Sequence, residues 1–124
     1  MSTIQDLMGL GFPGPLAGRL GNSVTAGLAG VGTAQAGAAA ITNKVTTGTT
    51  AGGATAFILP SSASIGSVWY FMNNSATAAL VYPPAGVSGT INNGSADASF
   101  SVAQSKPTIF IRVSSVAWMA VLSA

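Results

Sequence analysis

The chain has 124 residues, of which four are Lys or Arg and two are Asp; His, Cys and Glu do not occur. Charged residues make up 5% of the chain, against roughly 25% in an ordinary soluble domain. General acid–base catalysis draws mostly on His, Asp, Glu, Lys, Tyr and Cys, and a Ser or Thr nucleophile needs a base beside it. A zinc site needs several Cys, His or carboxylate ligands. Asp6 and Asp97 supply none of these sets, so neither an enzyme activity nor a metal or cofactor is expected.

The formal net charge is +2. Arg19, Lys44, Lys106 and Arg112 are scattered along the chain rather than clustered, so nucleic acid is not an expected partner. Without Cys the fold has to be held by packing. The uncharged stretch from Gly21 to Asn43 is built mostly from Gly, Ala, Ser and Thr, unlike a membrane span rich in Leu, Ile and Phe. The opening MSTIQDLMGLGFPGP carries Asp6 where a signal peptide has Lys or Arg. A free monomer with so few charges is poorly protected from association. Composition therefore points to a subunit whose surface is covered by neighbours, the alternative being a neutral secreted domain.

Residues 1–40 hold Gly at 9, 11, 14, 18, 21, 27, 30, 32 and 37, with Pro13 and Pro15. Glycine at that density opposes helix and strand alike. One helical turn is predicted at Ser2 to Met8, where Ser2 and Gln5 fit a capping box. The segment reads as an extended Gly/Ala-rich N-terminal arm, docked on a partner or disordered. Its docking residues are Ile4, Leu7, Met8, Leu10, Phe12 and Leu16.

Residues 41–124 read as a β domain. Strands are predicted at Ile41 to Thr50, at Thr55 to Leu59 before Pro60, and at Ser67 to Met72. The last has Trp69 and Phe71 on one face and Val68, Tyr70 and Met72 on the other, so both faces are expected to be covered. Asn73-Asn74-Ser75 is a turn signal, and Ala78 to Tyr82 is its hairpin partner. Gly89 to Asn92 leads into Asn92-Asn93-Gly94, a hairpin-turn signal. In the next strand Phe100 and Val102 alternate with Ser99 and Ser101. Over Thr108 to Val113, Ile109, Ile111 and Val113 are assigned inward, with Thr108, Phe110 and Arg112 on the opposite face. Ser114-Ser115 turns the chain into Val116 to Leu122. About eight short antiparallel strands at this spacing predict an all-β, compact sandwich or barrel. So small a domain without disulfides gains from oligomerisation, and a homotrimer is expected.

The chain resembles the small β-structured capsid decoration (cement) proteins and related minor virion proteins of tailed bacteriophages. The resemblance is carried by TAFILPSS (55–62), SVWYFMNNSATAALVYPPAG (67–86) and GTINNGSADASFSVAQSKPTIFIRVSSVAWMAVLSA (89–124), with GTAQAGAAAITNKVTTGTT (32–50) as the lead-in. It implies a structural subunit on the outer surface of the virion, with the major capsid protein and its own copies as partners, and it brings no catalytic positions.

Trp69, Tyr70, Phe71, Tyr82, Phe110 and Trp118 are assigned to the core or a subunit interface, because aromatics on alternating strands pack. The competing assignment makes Trp69, Tyr70, Tyr82 and Trp118 a sugar platform, as in a phage fibre or surface module that recognises host glycan. Gly9-x-Gly11 and Gly30-x-Gly32 lack the strand and Lys of a phosphate loop and read as loop glycines. Asp97 reads as part of a solvated turn rather than a calcium ligand, and Lys106 and Arg112 as solvated charges.

Overall fold

The computed structural model describes residues 24–122. The predicted docking residues Ile4 through Leu16 lie outside them. Ten strands follow in order: β1 (Val24–Ala29), β2 (Ala39–Ala40), β3 (Val45–Thr49), β4 (Ala56–Ile58), β5 (Val68–Asn73), β6 (Ala79–Tyr82), β7 (Thr90–Ile91), β8 (Phe100–Val102), β9 (Thr108–Arg112) and β10 (Ala117–Leu122). The described part is all-β.

The expectation of an antiparallel sandwich or barrel is corrected by the pairing. The chain winds as a β-solenoid: β1, β3 and β5 stack in parallel in one sheet, and β2, β4 and β6 stack in parallel in the other. Val24 lies beside Val45, and Val45 beside Tyr70. After three coils the winding ends and the remaining chain closes the stack. β8 adds antiparallel to β6, β9 adds antiparallel to β5, β10 returns along β9, and β7 lies parallel to β10. The result is a six-stranded sheet, β1-β3-β5-β9-β10-β7, facing a four-stranded sheet, β2-β4-β6-β8.

Three local expectations change with the topology. Residues 24–40, read as part of the arm, form β1 and β2 and belong to the two sheets. The strands flanking Asn73-Asn74-Ser75 are not a hairpin, since β5 and β6 lie in different sheets. Asn73 turns the corner between them: its Oδ1 accepts from the Ser75 amide, and its Nδ2 donates to the carbonyls of Thr77 and Val102. The Asn92-Asn93 turn does form, with φ of 53° and 59° and the Gly94 amide donating to the Ile91 carbonyl at 3.0 Å. That is the geometry of a type I′ turn. It nevertheless leads away from β7, whose partner is β10. The Ser114-Ser115 turn does join an antiparallel pair, β9 and β10.

The core lies between the sheets and is closed by aromatic pairs reaching across. Phe57 of β4 meets Phe71 of β5 edge-on, with centroids 5.0 Å apart, and Phe100 of β8 meets Phe110 of β9 at 5.9 Å. Such pairs add about 0.5–1.5 kcal/mol beyond the area they bury. Gly48 faces inward beneath the first pair; a Cβ there would come within 2.6 Å of the Phe71 ring and 2.8 Å of the Phe57 ring. The glycine is set by close approach of two rings.

The face assignment of β9 is reversed. Thr108, Phe110 and Arg112 are buried, whereas Ile109 and Ile111 are half-buried on the outer side and Val113 is exposed. Phe110 faces Trp69 and Ala120 across the sheet, and Arg112 lies beside Trp118. Burying one Phe, one Thr and one Arg in place of three aliphatics works because every guanidinium nitrogen has a carbonyl partner. Its Nη1 donates to the carbonyls of Ser61 and Ala63, Nη2 to that of Ser115 and Nε to that of Ser114. The expectation of a solvated charge at Arg112 is therefore also corrected.

Candidate interaction face

The six aromatics assigned to core or interface divide. Trp69, Phe71, Phe110 and Trp118 are buried in the core. The Trp69 indole donates to Ser67 Oγ at 2.9 Å and carries the Lys44 ammonium 4.4 Å above its ring. Tyr82 is half-buried, with its hydroxyl donating to the Thr33 carbonyl. Tyr70 points the other way and is 48% exposed. The two indoles, at 8% and 2% exposure, present no stacking surface to a sugar.

Tyr70 stands in the middle of the outer face of the six-stranded sheet. The registers place Val24, Val45, Tyr70, Ile109 and Val121 in one continuous row across five strands. A second row, Val68, Ile111 and Met119, runs beside it. Val24, Val45, Tyr70, Met119 and Val121 are exposed. Neither row contains a charged residue. A single exposed hydrophobe needs no explanation, but a contiguous patch of several hundred Å² is characteristic of an interaction surface. At ordinary strand spacing and rise, five strands by about five residues give a face of roughly 400 Å².

The sequence pattern assigned Ile109 and Ile111 to the interior and so broke this face in two. A usable signal was present in Ser67 to Met72: both of its faces are apolar, which in a two-sheet domain leaves one set facing out.

The other candidates offer less chemistry. One concavity of about 360 Å³ is lined by Ile41, Ile58, Leu59, Pro60 and Pro84 among others. A second, of about 420 Å³, lies between Asn92, Asn93, Val113 and Met119. Neither is lined by an acid, a base or an exposed aromatic ring. Asp97 sits in a turn at φ 61°, accepting from Gln35 Nε2 at 3.1 Å. No group of three or more His, Cys, Asp or Glu comes together among the described residues. Gly30 and Gly32 lie in the turn after β1; the Gly32 carbonyl accepts from the amides of Thr55 and Ala56. No helix among the described residues is long and apolar enough to cross a membrane.

No family model matches the chain, and no curated protein matches it. Among solved structures, a chain described as part of a chaperone–substrate complex is similar at 17% identity with a TM-score of 0.44. The match covers 79% of this chain and 17% of that one.

Proposed function

We propose that the protein is a structural virion subunit of a tailed bacteriophage, a capsid decoration or cement protein that binds the major capsid lattice from outside. The observation that carries this reading is the pairing of an almost uncharged chain with a broad, uncharged, apolar sheet face. The resemblance of residues 32–124 to decoration proteins supports the assignment to a capsid. The mechanism is mechanical. Apolar area removed from water at each contact contributes about 25 cal/mol per Å² before ordering costs, and a lattice repeats that contact many times.

In this reading residues 1–20 supply the capsid contact through Ile4, Leu7, Met8, Leu10, Phe12 and Leu16, and the β domain forms the homo-oligomer. The test is co-sedimentation of the full chain with capsids of the phage that encodes it. The full chain is expected to pellet with capsids, and a chain lacking residues 1–20 is expected to stay in the supernatant as a soluble oligomer. Equal pelleting of the truncated chain overturns the role of the arm. Absence of full-length binding overturns the capsid assignment.

A further inference from the structure

We infer that the open edge of the solenoid at β1 and β2 is a docking surface, and that its occupant is residues 3–20 of the same chain, added as one more coil. The inference goes beyond the capsid reading and stands apart from it, since the contact lies within one chain.

The edge itself is the first observation. Among the described residues β1 ends the six-stranded sheet and β2 ends the four-stranded one, so both sheets stop at the same coil. The Gly30 amide donates to the Thr49 carbonyl. Alternation along the strand turns the Ala29 amide and carbonyl the other way, toward the open edge. Edge strands are blunted by Lys, Pro, a bulge or a cover, and solenoids end in a capping repeat. Apart from the irregularity at Gly27, Val24–Ala29 carries no such device. Leu28 packs on the core yet is only half-buried, which leaves apolar surface at the end of the stack.

The second observation selects the occupant. Asn22-x-Val24-Thr25-x-Gly27 recurs 21 residues on as Asn43-x-Val45-Thr46-x-Gly48. Val24 lies beside Val45 and Thr25 beside Thr46, so at this end of the solenoid that offset is one coil. Leu28-x-Gly30-x-Gly32, which runs from β1 into the turn after it, has its own copy one coil earlier, at Leu7-x-Gly9-x-Gly11. The same offset matches Ile4 to Thr25, Ala17 to Ala38 and Leu20 to Ile41.

Burial follows the repeat. Thr25 and Leu28 are half-buried and Ile41 is buried, and their counterparts Ile4, Leu7 and Leu20 are all apolar. Gly32 takes φ 62°, and its counterpart Gly11 accepts the same conformation at no steric cost. The added coil lays Leu7 over Leu28 and Leu20 over Ile41, and pairs its backbone with the free side of β1. Met8, Leu10 and Phe12 fall on the exposed positions of Ala29, Val31 and Thr33, where they stay available to a lattice in the capsid reading.

The experiment uses the full chain without capsids. Amide exchange at Ala29 is expected to be slow in the full chain and about tenfold or more faster once residues 1–20 are removed. Leu7→Asp and Leu20→Asp are each expected to lower the melting temperature by about 5 °C or more, whereas Leu10→Asp and Phe12→Asp leave it unchanged. The chain has no cysteine, so Met8→Cys combined with Ala29→Cys reads the register directly. Neighbouring strands lie about 4.8 Å apart, within the Cα separation of about 4.4–6.8 Å that a disulfide spans. This pair is expected to close within one chain under mild oxidation. Met8→Cys combined with Thr49→Cys, one strand further from the edge, is not.

Fast exchange at Ala29 in the full chain, with all four Asp variants melting like the parent, means an uncovered edge and overturns the inference. Protection of Ala29 that persists without residues 1–20, or a Met8–Ala29 disulfide that links two chains, gives the edge to another molecule and overturns it as well. A Met8–Thr49 disulfide as ready as the Met8–Ala29 one shows a segment without register, with the same result. No capsid enters these measurements, so failure here leaves the decoration reading standing, and loss of capsid binding leaves the added coil standing.

Discussion

Arg112 Nη1 donates to the carbonyl of Ala63 at 2.7 Å, joining residues 49 positions apart. The same nitrogen reaches the Ser61 carbonyl, while Nη2 and Nε take those of Ser115 and Ser114. One guanidinium thus ties the connection from β4 to β5 to the turn between β9 and β10. The planar fork offers five donors in fixed directions, which a Lys ammonium cannot reproduce.

Arg112→Lys is expected to destabilise the domain by about 1–3 kcal/mol, because the buried Ala63 carbonyl left without a donor costs about that much, while the carbonyls of the exposed Ser61 and Ser115 can turn to water. In a domain of this size that lowers the melting temperature by about 5–15 °C. Arg112→Met, of similar length but without donors, is expected to lose at least as much. Thermal melts of the two variants check this, and a near-neutral Arg112→Met would show that the fork is not what holds the two loops.

Gly48→Ala places a methyl group against two buried rings. Overpacking of a well-filled core costs about 1–3 kcal/mol, offset in part by the lower chain entropy of Ala in the unfolded state. Net destabilisation is expected because Phe57 and Phe71 are each pinned by the other. Phe57→Leu in the same chain makes room, so the double variant is expected to lose less than the sum of the two single losses. Denaturant titration of all four chains measures that coupling.

From residue 41 onward strand existence was legible in this sequence, and strand partnership was not. The runs around Trp69, Phe100, Ile109 and Trp118 show period-two alternation, and strands form at each. A parallel solenoid, however, is marked by equivalent positions in successive coils, and here the coils differ in length and content. Thr46 of one coil sits beside Phe71 of the next, and Gly48 beside Asn73, so no repeated residue type announces that step. The glycine-rich stretch before residue 40 concealed β1 for a related reason. Gly27 takes φ 76° at an irregularity in the β1–β3 register, so glycine there accompanies a bulged strand rather than an absent one. The outer face was hidden by Arg112. A charged residue sharing a face with Phe110 argues by pattern for solvent, and only the four carbonyls, two from the distant loop before β5 and two from the turn that follows β9, reverse that argument.

Asn92 acts as a piece of borrowed backbone. Its Oδ1 accepts from the Ala120 amide at 2.8 Å and its Nδ2 donates to the Ala120 carbonyl at 3.1 Å, continuing the β7–β10 ladder by one rung. It does so at φ 53°, where Asn is tolerated and Ala is strained. Asn92→Gly removes the rung alone, and Asn92→Ala removes the rung and adds backbone strain. Expected losses are about 1–2 kcal/mol for Gly and about 1–2 kcal/mol more for Ala. Amide exchange at Ala120, fast in both variants and slow in the parent, locates the effect.

The homo-oligomer proposed for the β domain has its own salt signature if its copies meet through the outer rows of the six-stranded sheet. Charged interfaces weaken as ions screen them, with a screening length of about 10 Å at 0.1 M salt falling to about 3 Å at 1 M. The rows through Tyr70 and Ile111 carry no charge to screen, so sodium chloride over that range is expected to leave the dissociation constant nearly unchanged. Ammonium sulfate strengthens burial of apolar surface through its exclusion from the protein surface, and it is expected to tighten association. Sedimentation in a series of each salt separates the alternatives. Marked weakening by sodium chloride would assign the contact to the described charges Lys44, Lys106 or Asp97 instead, none of which is a member of the outer rows.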